Sequence, residues 1–195
     1  MNVKRLGVLL GICLLVVFAR PAFGQSIPGA TQNNLPFPSY GIGKVIVRVY
    51  ADYFCPPCRA VLPELVPLLV DLVKSKKATV VFVDTPIHKD SQLYARYFLY
   101  ALNKKNDFEY ALRARSVLFE AAGNKISGKA ALEEFLKGKG IGFTHFDATP
   151  VLKKLNSLLQ EDKVMGTPSC VIVKDETSEK KVGGGEILKS LKEIK

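Results

Sequence analysis

Two cysteines three positions apart, in Cys55-Pro56-Pro57-Cys58, stand where a strand pattern gives way to a helical one. That junction constrains the fold more than any other feature of the chain. Ahead of it, Val45-Ile46-Val47-Arg48-Val49-Tyr50 is β-branched and mostly apolar, as a buried strand is. Across residues 58–74, apolar side chains at 61, 62, 65, 66, 69, 72 and 73 follow helical spacing, and Pro63 inside that stretch predicts a kink. Thiols so placed can close a small disulfide ring. Cys55 precedes the unpaired N–H groups and the positive dipole end of the helix, which favour a thiolate over a thiol. A disulfide that releases a stabilised thiolate is easily reduced and can oxidise other thiols. Pro56 and Pro57 remove two backbone donors and stiffen the loop.

The rest of the chain sets this junction in an α/β order. Residues 78–83 form a second buried strand, closed by Asp84-Thr85-Pro86. A helical block follows. Leu93, Tyr94, Tyr97, Phe98, Ala101 and Leu102 mark one helix, with the aromatics read as core. Phe108, Ala111, Leu112, Arg115, Leu118 and Phe119 mark the next, capped by Asn106 or Asp107. A short third helix spans 130–137, and Thr149-Pro150 supplies a cap and first-turn proline for a fourth. Strand chemistry returns at Cys170-Val171-Ile172-Val173 and Lys181-Val182-Gly183, which can form a hairpin, before a terminal helix from Glu186. The fold class is α/β with an inserted all-helical subdomain at 90–162, flanked by an α/β domain of residues 44–89 and 163–195.

The N-terminus reads as a leader. Lys4 and Arg5 precede 14 apolar residues at 6–19, and Ala22-Phe23-Gly24 offers small residues at a cleavage site. This is the layout of a signal peptide spanning 1–24, too short in its apolar part to favour a permanent anchor. Residues 25–43, rich in Pro, Gly and Asn, read as a linker. The whole chain carries 28 basic and 18 acidic residues, a formal charge of +10. Loss of the leader removes Lys4, Arg5 and Arg20 and no acid, leaving +7. The surplus lysines are scattered, with no arginine-rich or aromatic-interleaved block of the kind that binds nucleic acid. Three cysteines remain beyond Cys13: 55, 58 and 170.

Other uses of the pair fit less well. Zinc needs two more ligands, and His88, His145 and Cys170 include no second CxxC or HxxxH spacing, so neither a metal nor a cofactor is expected. A structural disulfide across so small a loop would stabilise little. Cys170, in an apolar strand, reads as a buried free thiol, with a third redox thiol as the alternative. His88 and His145 read as surface or capping residues.

With these residues in view, the sequence resembles the thioredoxin superfamily, and within it the exported DsbA-like thiol–disulfide oxidoreductases. The resemblance is carried by Asp52-Tyr53-Phe54-Cys55-Pro56-Pro57-Cys58-Arg59, by Pro63, by Gly166-Thr167-Pro168-Ser169 and by the helical block, and it covers residues 44–195. It implies a thioredoxin-like fold, Cys55 as exposed nucleophile and Cys58 as buried resolving thiol. It also implies a cis peptide bond at Thr167-Pro168, with both residues on the substrate surface. The implied partners are exported proteins with thiols or disulfides and a membrane redox partner that recycles the dithiol. The implied compartment is the periplasm or beyond. Isomerases of the superfamily usually carry a separate dimerisation domain, for which 25–43 is too short, so a monomer is expected. Two positions depart from the best-known oxidants. Val49 stands where they carry a buried carboxylate, leaving water, Asp52 or Glu64 to serve Cys58, and Pro57 stands where they often have His or Tyr. A disulfide-forming oxidase is the leading reading. A reductase or isomerase of the same fold, or a non-catalytic polypeptide-binding module, stays open.

Overall fold

The β-branched runs form strands that lie at the centre of a sheet and are buried on both faces. In the computed structural model, which describes residues 35–194, Val45–Ala51 (β2) pairs in parallel with Ala78–Asp84 (β3), Val49 facing Phe82 in register. The expected leader, Cys13 and the first part of the 25–43 lead-in fall outside the described residues. Ser169–Lys174 (β4) lies antiparallel on the other side of β2, with Cys170 opposite Val49. Val47, Ala78, Val80, Val83 and Cys170 are fully buried, as such near-continuous apolar strands require.

The edges were less visible in the sequence. Ser39–Tyr40 (β1), inside the stretch read as linker, pairs antiparallel with β3. The link from β1 to β2 runs through Gly43, where a Cβ would sit 2.2 Å from the backbone of Lys77 and Ala78, so only glycine fits. Thr177–Val182 (β5) is longer than the Lys181-Val182-Gly183 pattern suggested, because its first residues are exposed and polar and pair only through backbone. Asp175 and Glu176, both at positive φ, form the two-residue turn that joins it to β4. Among the described residues the sheet order is β1-β3-β2-β4-β5.

Six helices complete the described fold. Pro56–Lys74 (α1) begins at Pro56, two residues before the sequence pattern, and continues through Pro63 and Pro67. Ser91–Lys104 (α2), Phe108–Gly123 (α3), Lys129–Gly138 (α4) and Thr149–Glu161 (α5) all lie between β3 and β4, and Gly184–Lys192 (α6) closes the chain. Asp107 caps α3 by accepting from Tyr110 N–H at 2.8 Å. The expected Thr149 cap is displaced. Thr149 is already helical and donates its own N–H to Asp147 at 3.0 Å, so the aspartate two residues earlier takes the capping role. Tyr94, Tyr97 and Phe98 are core, as their spacing predicted. Among the described residues no helix is long and apolar enough to cross a membrane.

Candidate active site

The strand-to-helix turn after β2 places Cys55 at the N-cap of α1. An N-cap side chain accepts from the second or third helical N–H, and here residues 56 and 57 have none to give. Cys58 N–H, the third, therefore donates to Cys55 Sγ at 3.3 Å. The Cys55 thiol in turn donates to the Thr167 carbonyl at 3.4 Å. The Thr167-Pro168 peptide is cis, as the resemblance implied, and brings the second loop against the dithiol. The six residues singled out from the sequence thus form one constellation: Cys55, Pro56, Pro57 and Cys58 at the helix start, Thr167 and Pro168 facing them.

Accessibility is graded differently from expectation. Cys55 is 5% exposed, not open to solvent, because its sulfur is drawn in between Cys58 N–H and the Thr167 carbonyl. Cys58 is 1% exposed and Cys170 fully buried. Pro56 and Pro57 form the exposed rim of the turn. Burial pushes the Cys58 thiol well above its ordinary range, the hydrogen bond with Cys55 adds to this, and the Thr167 hydroxyl and the Asp52 backbone pull it partly back. Thr167 Oγ1 is otherwise buried without a hydrogen-bond partner. Burial, with the nearby Asp162 charge, pushes Cys170 up to about 12. None of these three cysteines is in a disulfide.

The acids around the turn are sorted by their surroundings. Glu64 is exposed on α1. Asp52 is buried and saturated: one carboxylate oxygen accepts from Phe54 N–H at 2.8 Å, the other from Ile87 N–H at 2.8 Å and the Ser91 hydroxyl at 2.7 Å. Burial alone would raise its carboxyl, but those donors, with His88, bring it below the usual carboxylate range. His88 stands half-exposed with Nδ1 3.2 Å from Asp52, while His145 lies on the helical block beside Glu133. Among the described residues no cluster of three or more His, Cys, Asp or Glu side chains could hold a metal.

One group escaped the sequence reading. Arg115, from α3, is 5% exposed and bonds through Nη1 to Asp84 at 2.5 Å and to the Tyr53 hydroxyl at 3.2 Å. Its guanidinium lies over the rings of Tyr53, Phe82, Phe98 and Phe119, 4.6–5.8 Å from their centroids. It lines an apolar cavity of about 390 Å³ together with Val49, Cys58, Phe119 and Pro168. A signal was present, since Arg115 stood on the apolar face of its helix, where a charge must find a partner.

A strand, a dithiol turn, a helix and a facing cis-proline loop define a thioredoxin-like site. A family model described as thioredoxin matches residues 43–193, and the chain belongs to that family. No curated protein sequence matches the chain significantly. Solved structures of similar fold include the catalytic domain of ScsC from Proteus mirabilis, at 20% identity, TM-score 0.58, covering 83% of this chain and 90% of that one. DsbA2 from Pseudomonas aeruginosa matches at 20% identity and TM-score 0.57, over 84% of this chain and 94% of its own. A periplasmic thioredoxin-like protein from Salmonella enterica serovar Typhimurium matches at 20% identity and TM-score 0.59, covering 80% and 87%.

Proposed function

We propose that the protein is an exported thiol–disulfide oxidoreductase that exchanges disulfides with protein substrates through Cys55 and Cys58, acting as a disulfide-forming oxidase. The observation that carries this is the Cys55 sulfur at a helix N-cap, bonded to Cys58 N–H and facing Thr167-Pro168. In the oxidised form a substrate thiolate attacks Cys55 Sγ. The Cys55–Cys58 bond breaks, its electron pair leaves on Cys58 sulfur, and that thiolate takes up a proton. A second substrate thiolate then attacks the substrate sulfur of the mixed disulfide and releases Cys55. The substrate loses two electrons as its two thiols join, and the dithiol gains them. A membrane partner that removes those electrons would complete the cycle.

The oxidising direction is favoured by the Cys58 N–H donor to the Cys55 sulfur in the reduced state and by the apolar Val49, which sets no carboxylate against a thiolate from the first long strand. Structural neighbours named as periplasmic, ScsC or DsbA2 proteins accord with export and with this chemistry. Insulin reduction and oxidative refolding of a reduced protein, with wild type and Cys55→Ser, test the reading. Activity in the wild type that Cys55→Ser abolishes is expected; equal activity in both overturns it.

A further inference from the structure

Cys58 is the leaving group when a substrate attacks Cys55, so whatever stabilises charge on its buried sulfur sets the rate of disulfide transfer. We propose that Arg115 is a positioning residue for this reaction, its buried guanidinium supporting negative charge on Cys58 across the shared cavity while Asp84 moderates it. The inference rests on the oxidoreductase reading of the dithiol and adds a residue from the helical block to it.

Three observations converge on the guanidinium. It is buried, and an arginine keeps its charge there because it cannot deprotonate in proteins. Both of its hydrogen bonds, to Asp84 and Tyr53, are made by Nη1, although a guanidinium has five N–H donors. It lines the cavity into which Cys58 also faces, and Asp84 does not. Opposite charges in a site of low polarity act strongly on one another, so Arg115 lowers the cost of a Cys58 thiolate. Burial opposes the charge on Arg115, and attraction to Tyr53 and Asp84, with a lesser pull from Cys58, holds the guanidinium in its charged form.

The other ionisable groups near this cluster do not replace it. Burial keeps the Tyr53 hydroxyl protonated. Asp52 is saturated by Phe54, Ile87, His88 and Ser91 and faces that loop. His88 is held at Asp52, and Cys55 is the partner sulfur itself. Asp84 is held by Arg115 and does not line the cavity; burial raises its carboxyl against the pull of Arg115. Moving a proton from Cys58 to Asp84 would leave the thiolate facing Arg115 with no change in total buried charge. Asp84 thus tunes how much of the guanidinium's charge Cys58 meets.

Opposite substitutions give opposite signs. In a Cys55→Ser background, the carbon-13 shift of the isotope-labelled Cys58 Cβ against pH reports Cys58, with Cys170→Ala removing the other buried thiol. Arg115→Met is expected to lower the Cys58 ionisation constant by up to about tenfold, the low end for loss of an opposite charge in contact and the ceiling for one that only shares the cavity. Arg115→Lys should recover part of it, and Asp84→Asn should raise the constant. With the dithiol intact, the rate at which a reduced peptide attacks the oxidised protein should fall in Arg115→Met and rise in Asp84→Asn. A purely structural ion pair would instead slow both alike. Where Arg115→Met does not fold, Asp84→Asn carries the sign test. Where neither folds, Arg115→Gln combined with Asp84→Asn, which removes both charges of the pair, must lower the Cys58 ionisation constant and slow the attack. An unchanged Cys58 titration in folded variants overturns the proposal. Absence of any disulfide transfer by the wild type overturns the oxidoreductase reading instead, and the Cys58 titration remains readable.

Discussion

Two consecutive prolines in the first turn of α1 leave Cys55 with one backbone donor where most residues would offer two. Pro56 occupies the first helical position, Pro57 the second and Cys58 the third. An N-cap acceptor draws on the second and third N–H groups. Only Cys58 N–H is present, at 3.3 Å from the sulfur. Pro57→Ala restores the missing donor without a bulky side chain, at a residue exposed on the rim. A hydrogen bond to a charged acceptor is worth about 1.5–3 kcal/mol, and sulfur is a weak acceptor, so the low end applies. That stabilises the Cys55 thiolate, and so the reduced protein, by about 1.5 kcal/mol, or about 30 mV in a two-electron couple. Proline's restriction of the unfolded chain is lost as well, but it affects oxidised and reduced forms alike and cancels in the potential. The wild-type potential is expected midway between about −120 mV and −270 mV, the range from strong oxidants to thioredoxin. Equilibration with glutathione buffers, at a pH where Cys55 is ionised, should place Pro57→Ala about 30 mV higher. Pro57→His should go further, by an increment that grows as the pH falls below about 6.5 and the imidazole gains charge. Pro56→Ala restores an N–H at the first position, which does not reach the cap, and serves as the control. A Pro57→Ala potential at or below wild type, or an equal rise in Pro56→Ala, would refute the reasoning.

Two further outcomes follow from the same geometry. Brief alkylation of the reduced protein at mildly acidic pH, followed by peptide mapping, should label Cys55 first; Cys170, pushed up to about 12, is fully buried, and preferential label there would promote it to a third redox thiol. Asp52→Asn puts an amide where three donors converge on one oxygen, from Ile87, His88 and Ser91, and should cost about 1–3 kcal/mol in denaturant unfolding. Because the folded Asp52 carboxyl is depressed, its stabilisation is present above the unfolded value of about 3.9 and fades as pH falls through the folded value. The acid limb of wild-type stability should therefore flatten in Asp52→Asn, and an identical limb in both proteins would exclude Asp52 as its source.

Central elements were legible in the sequence because burial writes itself into composition. β2, β3 and β4 are β-branched runs, and the dithiol turn between strand and helix marks the site directly. β1 has two residues and no composition of its own, and β5 is held by backbone bonds that polar side chains do not reveal. The Asp52 hub could be named only as a guess, since its partners lie up to 39 residues away. Arg115 and Tyr53 are 62 residues apart, and no local pattern announces such a pair. The anomaly that could have announced it was a guanidinium on an apolar helix face.

Val49 and Arg115 make sense together. Val49 lies between Phe82 and Cys170 in the sheet and lines the same cavity as Cys58. A carboxylate there would share the cavity with the guanidinium and compete with a Cys58 thiolate for it. With valine in that place, the buried acid stands instead at Asp84, two residues beyond Phe82 on β3, and its counter-charge comes from α3. The helical block is thereby tied to the redox turn by more than apolar contact. Displacing α3 would strand Asp84 without its ion partner, a loss of about 3–5 kcal/mol for a buried pair broken on one side. The same displacement would take the positive charge away from Cys58. Docking of α3 and the reactivity of the dithiol are therefore coupled through one ion pair, and a substitution that loosens α3 should change disulfide transfer before it unfolds the sheet.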